Sequence, residues 1–127
     1  MPHLIIECSA NAAEVTDLHA MSQALHAAAI ASGVAALDAL RTRLVIHDHY
    51  LIADQRPENT FVAVTCRFLE GRSLADKQRL TGALMDAMVE HLGDAERDIT
   101  LSVEYQEIDA ATRLNRNSLK VRLEAGA

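Results

Sequence analysis

The sequence predicts a small α/β (α+β) domain: two tandem β-α-β units share one sheet, and two helices cover one of its faces. Three observations carry that reading. The hydrophobic pattern runs strand, helix, strand, then a polar loop, then strand, helix, strand. The two helical stretches stop at Gly33 and Gly93, offset by about 60 residues, although the halves share little sequence. Each helix carries one apolar stripe, which must be buried against a sheet.

The elements follow in order. His3–Cys8 is a short apolar run that suits a buried strand. Asn11 reads as a helix N-cap with Glu14 at N3. Val15, Leu18, Ser22, Leu25 and Ala29 then fall at helical spacing, and Gly33 is a natural stop. Leu40–Ile46 alternates as a strand. Arg41, Arg43 and Val45 lie on one of its faces, Leu40, Thr42, Leu44 and Ile46 on the other. Ala53–Asn59 is the clearest loop. Phe61–Leu69 is a strand, Ser73 caps the second helix with Asp76 at N3, and Leu84, Met85, Met88 and Leu92 form its stripe. Ile99–Tyr105 alternates again, and Leu119–Leu123 suits a short edge strand. Residues 1–127 read as one domain, with a pseudo-repeat of about 2–52 and 60–108 and a C-terminal tail. Strands joined through a helix are expected parallel. The uncovered sheet face is expected to be apolar and to drive homo-oligomerisation. A ferredoxin-like monomer or dimer has the same element order.

Composition narrows the function. Half of the 127 residues are hydrophobic but only four are aromatic, so Ala, Leu, Val and Ile fill the core. A net charge of −6 disfavours nucleic acid and anionic membrane as partners. No apolar run reaches the roughly 20 residues needed to cross a bilayer. No basic-then-apolar leader opens the chain. Cys8 and Cys66 sit in strand runs and read as buried thiols, and a cytoplasmic location is the default.

Few residues suggest chemistry. Methionine before a small residue is normally removed, which would make Pro2 a secondary amine. An α-amino group titrates at about 7.7–8.0, and burial or nearby cations lower that toward a usable base. An apolar strand starts immediately after Pro2 and would hold it inside the fold. Arg41 and Arg43, two apart on a strand, share a face. They fit either a carboxylate ligand or a solvated edge with salt bridges. Gly71-Arg72-Ser73 precedes a helix, where free N–H groups favour anions; it equally fits an ordinary turn. His47 and His49 would share a strand face, but no third metal ligand is evident, and no metal is predicted.

Taken together, these pieces resemble a known family. The opening Met1-Pro2-His3-Leu4-Ile5-Ile6-Glu7-Cys8-Ser9-Ala10-Asn11, the Arg41-Thr42-Arg43 strand, the Gly71-Arg72-Ser73 turn and the late Leu114-Asn115 resemble 5-carboxymethyl-2-hydroxymuconate isomerases of the tautomerase superfamily. The resemblance covers nearly the whole chain. It implies a cofactor-independent homotrimer acting on a small dienol di- or tricarboxylate, with sites near Pro2 close to subunit boundaries. It implies conversion of 5-carboxymethyl-2-hydroxymuconate to 5-oxopent-3-ene-1,2,5-tricarboxylate in homoprotocatechuate breakdown. Pro2, Arg41 and Arg43 would be catalytic; Arg72, His3 and Tyr50 would bind substrate. Another enol acid as substrate, or a small-acid-binding or structural oligomer, fits the same element order.

Overall fold

The computed structural model describes residues 2–93 and 98–126. Four strands, β1 (His3–Ser9), β2 (Arg41–His47), β3 (Thr60–Leu69) and β4 (Ile99–Ile108), form one sheet in the order β2-β1-β3-β4. Helices α1 (Leu18–Ala31) and α2 (Leu74–Leu92) connect the strands of each unit. The β1–β2 and β3–β4 pairs are parallel, as helix crossovers require, and β1 meets β3 antiparallel.

Alternation decides which side of each strand is buried. Leu4, Ile6 and Cys8 of β1 and Val62, Val64, Cys66 and Phe68 of β3 point to the helices and are almost wholly buried. Met21, Leu25 and Ala29 of α1 and Leu80, Leu84, Met88 and Leu92 of α2 meet them in a continuous core. The four-residue spacing of these positions is the apolar stripe read from the sequence, shifted in α1 by the later start of the helix. Gly33, at φ +78°, ends α1 in the left-handed region. Gly93 ends α2 at φ −64°, without that device.

Three expectations are corrected. Asn11 does not cap α1. It lies in a 3-10 turn (Ala10–Glu14), and Asp17 caps the helix by accepting the Ala20 N–H at 3.1 Å. Asn11 instead ties the end of β1 to the loop before β3. It accepts the Ser9 hydroxyl at 2.6 Å and donates to the carbonyls of Pro57 and Asn59 at 3.1 and 2.8 Å. A polar residue able to cap a helix was free to do this longer-range work because Asp17 stands closer to the apolar stripe.

The tail is the second correction. Leu119–Leu123 lies in a helix, α3 (Ser118–Glu124), not in an edge strand. Asn117 caps it through the Leu119 N–H at 2.9 Å and donates to the Asp38 carbonyl at 2.8 Å. A helix satisfies its backbone internally, whereas a strand there needs a sheet edge to pair with. The third correction concerns the sheet face away from the helices. Its apolar members are Ile5, Val45, Phe61, Ala63, Leu69 and Ile108, interleaved with His3, Glu7, Arg41, Arg43, Thr65, Arg67, Glu104 and Gln106. It is a mixed polar surface rather than an apolar one.

Both cysteines are buried and free. Burial raises the Cys8 thiol and pushes Cys66 up to about 12. Neither thiol should react with an aromatic disulfide reagent at pH 8 in the native protein, and both should react after unfolding. Rapid native labelling would contradict this packing. Asp17→Ala should cost about 1 kcal/mol of stability in urea unfolding, the usual worth of an N-cap; an unchanged midpoint would deny its capping role.

Candidate active site

The start of β1 is a fixed point. Pro2 is buried, and its carbonyl accepts the Arg41 N–H at 3.2 Å. Because β1 is paired on both sides from His3 onward, the residue ahead of it is held between β2 and β3.

On the face away from the helices, His3 stands between the two strand arginines. Arg41 Nη2 lies 2.9 Å from His3 Nε2, and Arg43 Nη1 lies 3.0 Å from His3 Nδ1. Guanidinium has only donors, and a neutral imidazole accepts at one nitrogen only. In either tautomer, therefore, one arginine receives a true acceptor and the other faces an N–H. Partial burial first, then Arg41, Arg43 and Arg67, lower the His3 pKa from 6.5 to about 4. His3 is thus neutral at neutral pH, and the arginines keep their charge without a carboxylate partner among the described residues. Thr42, between them in sequence, faces the other way and meets His26 Nδ1 at 2.7 Å.

Arg67, opposite His3 on β3, was not among the residues singled out from the sequence. The alternation of β3 contains the signal: Phe61, Ala63, Thr65 and Arg67 share the uncovered face, and only Arg67 is charged.

Arg72 is on the other side of the sheet. Gly71 turns the chain at φ +111°. Arg72 then donates from Nε to the Val34 carbonyl at 3.3 Å and from Nη1 to the Leu69 carbonyl at 3.1 Å. Its guanidinium carbon lies 4.9 Å from the centre of the buried Phe68 ring. Val34 leads toward β2 and Leu69 ends β3, so this side chain bridges the two segments that flank the start of β1. Ser73 caps α2 through the Asp76 N–H at 3.1 Å. Tyr105 packs its ring 5.5 Å from Phe68 and buries a hydroxyl toward Arg72 that makes no well-formed hydrogen bond. Burial raises its pKa, partly offset by Arg72 and Lys77.

The predicted residues thus divide into groups. Pro2, His3, Arg41 and Arg43 come together at one end of the sheet, and Arg72 reaches that end from the helix side. Tyr50 does not. It packs edge-on to Phe61 at 6.4 Å, beside the far end of β1, roughly 20 Å from Pro2 at 3.3 Å per strand residue. There it lines a cavity of about 340 Å³ with Ile52, Arg56 and Asn59. A larger cavity, about 750 Å³, lies between α1 and β2 and includes Arg43 but not Pro2. The His47–His49 pair is also corrected. β2 ends at His47, which sits 3.6 Å from Glu7, and His49 falls in the bend beyond the strand's alternation.

A family model described as 5-carboxymethyl-2-hydroxymuconate isomerase matches residues 2–123. The chain belongs to this family. Family membership gives the activity class, an isomerase. A 5-carboxymethyl-2-hydroxymuconate Delta-isomerase from Escherichia coli is 28% identical over 121 residues, covering 94% of this chain and 96% of that protein. The crystal structure of a 5-carboxymethyl-2-hydroxymuconate isomerase from Deinococcus radiodurans R1 superposes with a TM-score of 0.88 at 26% identity, covering 96% and 93% of the two chains. Native fused 4-OT, at TM-score 0.68 and 16% identity over 96% and 98%, shares the tautomerase-superfamily fold.

His3 gives the isomerase a predictable acid response. The unfolded chain takes up this proton near pH 6.5 and the folded chain only near 4. The unfolded state therefore binds more protons between those values, and stability falls as pH drops through the window. Urea midpoints of His3→Gln should decline less steeply than wild type from pH 6.5 to 4. Parallel curves would show that His3 does not contribute.

Proposed function

We propose that this isomerase ketonises 5-carboxymethyl-2-hydroxymuconate, with Pro2 as the proton shuttle. The observation that carries the reading is a buried Pro2 at a pinned strand start, with Arg72 on one side of the sheet and Arg41 and Arg43 on the other. Removal of Met1 makes the Pro2 nitrogen a secondary amine. Desolvation and neighbouring guanidinium groups both disfavour its ammonium form, so it serves as a base near neutral pH.

The neutral amine takes the proton of the 2-hydroxyl group. Electrons move through the diene, and the resulting ammonium delivers a proton to C5. The product is the conjugated ketone 5-oxopent-3-ene-1,2,5-tricarboxylate, with no net change in atoms or electrons. Arginines hold the carboxylates and stabilise the charge that develops on the 2-oxygen. Preorganised cations of this kind supply several kcal/mol in a water-poor site. Arg72 suits the reacting end. Two backbone carbonyls fix its plane.

A homotrimer in the cytoplasm completes the proposal. Fused 4-OT proteins of the same fold form symmetric and asymmetric trimers, β2 and β4 each leave one edge unpaired, and free cysteines suit a reducing compartment. Among the described residues no helix is long and apolar enough to cross a membrane. Tyr50 can join a Pro2 site only from another subunit of such an assembly.

Ultraviolet absorbance of the dienol tests the shuttle directly. Pro2→Ala, shown by intact mass to lack Met1 and by circular dichroism to be folded, should lose about 10²-fold or more in kcat. Full activity would remove Pro2 from the reaction. Arg41→Ala and Arg43→Ala should each lower kcat/KM by about tenfold or more, the worth of a charge-assisted hydrogen bond. Wild-type constants in both would remove the strand arginines from the site.

A further inference from the structure

Arg67 is the one cation of this end of the sheet that has not been given a task. It occupies an internal strand, with β1 on one side and β4 on the other, so its side chain cannot leave by a sheet edge. Across the strands its row reads Arg41, His3, Arg67, Gln106. Neighbouring strands are about 4.8 Å apart, so the Cα atoms of Arg41 and Arg67 are separated by about 10 Å. Arg43 stands in the next row, beside Ile5 and Thr65.

Three guanidinium groups therefore surround one imidazole on one sheet face. No acid among the described residues forms an ion pair with them. Arg67 is exposed and makes no ion pair or hydrogen bond with any described residue, and Arg41 and Arg43 bond only to His3 through their side chains. Of the acids on the same face, Glu7 lies against His47, and Glu104, diagonal to Arg67, forms no ion pair with any described residue. A chain with 18 acidic residues against 12 basic ones had ample means to pair these cations. Like charges this close repel one another, and an anion with several well-spaced oxygens relieves that repulsion best. A single carboxylate engages one guanidinium bidentately and leaves the others unmet.

We infer that Arg67 is a third carboxylate-binding residue, which together with Arg41 and Arg43 makes the site selective for acids bearing more than one carboxylate. This deepens the proposed isomerase reading and rests on it for the reaction, though not for the binding. Arg67 acts on a substrate carboxylate remote from the proton transfer. Its loss should therefore penalise a tricarboxylate more than a monocarboxylate enol.

The test compares kcat/KM for 5-carboxymethyl-2-hydroxymuconate and for the monocarboxylate enol of phenylpyruvate, in wild type, Arg67→Gln and Arg67→Lys. The ratio of the two constants should fall about tenfold or more in Arg67→Gln, one charge-assisted contact, and recover largely in Arg67→Lys. A ratio equal to that of wild type in Arg67→Gln overturns the inference and leaves the isomerase reading intact. Calorimetric binding of propane-1,2,3-tricarboxylate, which cannot tautomerise, separates the two readings. If wild type turns over neither enol, the isomerase reading fails. Arg67 is then judged by binding alone: a tenfold weaker Kd in Arg67→Gln upholds its role, and equal Kd values overturn it.

Discussion

The placement of β1 inside the sheet is the constraint on which the site depends. A chain terminus ordinarily frays, because its first residues have few partners. Here the strand begins at His3 and is paired at once, in parallel with Arg41 and antiparallel with Arg67. The Arg41 N–H fixes the Pro2 carbonyl itself. Pro2, the proposed base, thereby acquires the positional precision of a core residue. Its two flanking strands also deliver the cations around it, since the residues opposite His3 on both sides are arginines.

The sheet then acts as a partition. Arg72 is held on the helix side by two backbone carbonyls and the Phe68 ring, while Arg41, Arg43 and Arg67 project from the opposite face. A ligand at the end of β1 meets positive charge above and below the plane. The strand geometry yields two sets of arginines with different rigidity. Arg72 has a fixed plane. Arg41 and Arg43 share an imidazole that can satisfy only one of them at a time.

Much of this was legible in the residues, for identifiable reasons. Period-2 alternation placed Arg41 and Arg43 together on β2, and Gly33 and Ser73 marked helix ends by local chemistry that no distant contact overrides. Signals that depend on distant partners were not legible. Asn11 looked like a cap because nothing local showed that Pro57 and Asn59 would claim its amide. Leu119–Leu123 has a spacing that suits strand or helix, and only the absence of a paired edge decides. Arg67 was hidden because its meaning comes from the neighbour across β1 rather than from its own strand. Tyr50 is close to Arg43 in sequence but not in space, since β2 carries it the full length of the sheet away.

The antiparallel seam between β1 and β3 has a further consequence. Each unit opens with a strand, and Asn59 precedes β3 as Pro2 precedes β1. Antiparallel pairing sends those two beginnings to opposite ends of the sheet. Asn59 is an internal residue whose amide donates to the Ile52 carbonyl and to Asp54 at 3.0 and 2.8 Å. It has a peptide nitrogen and can never be an amine. Covalent continuity thus breaks the equivalence of the two halves: one half opens on the residue proposed as the base, and the other is left to serve as scaffold.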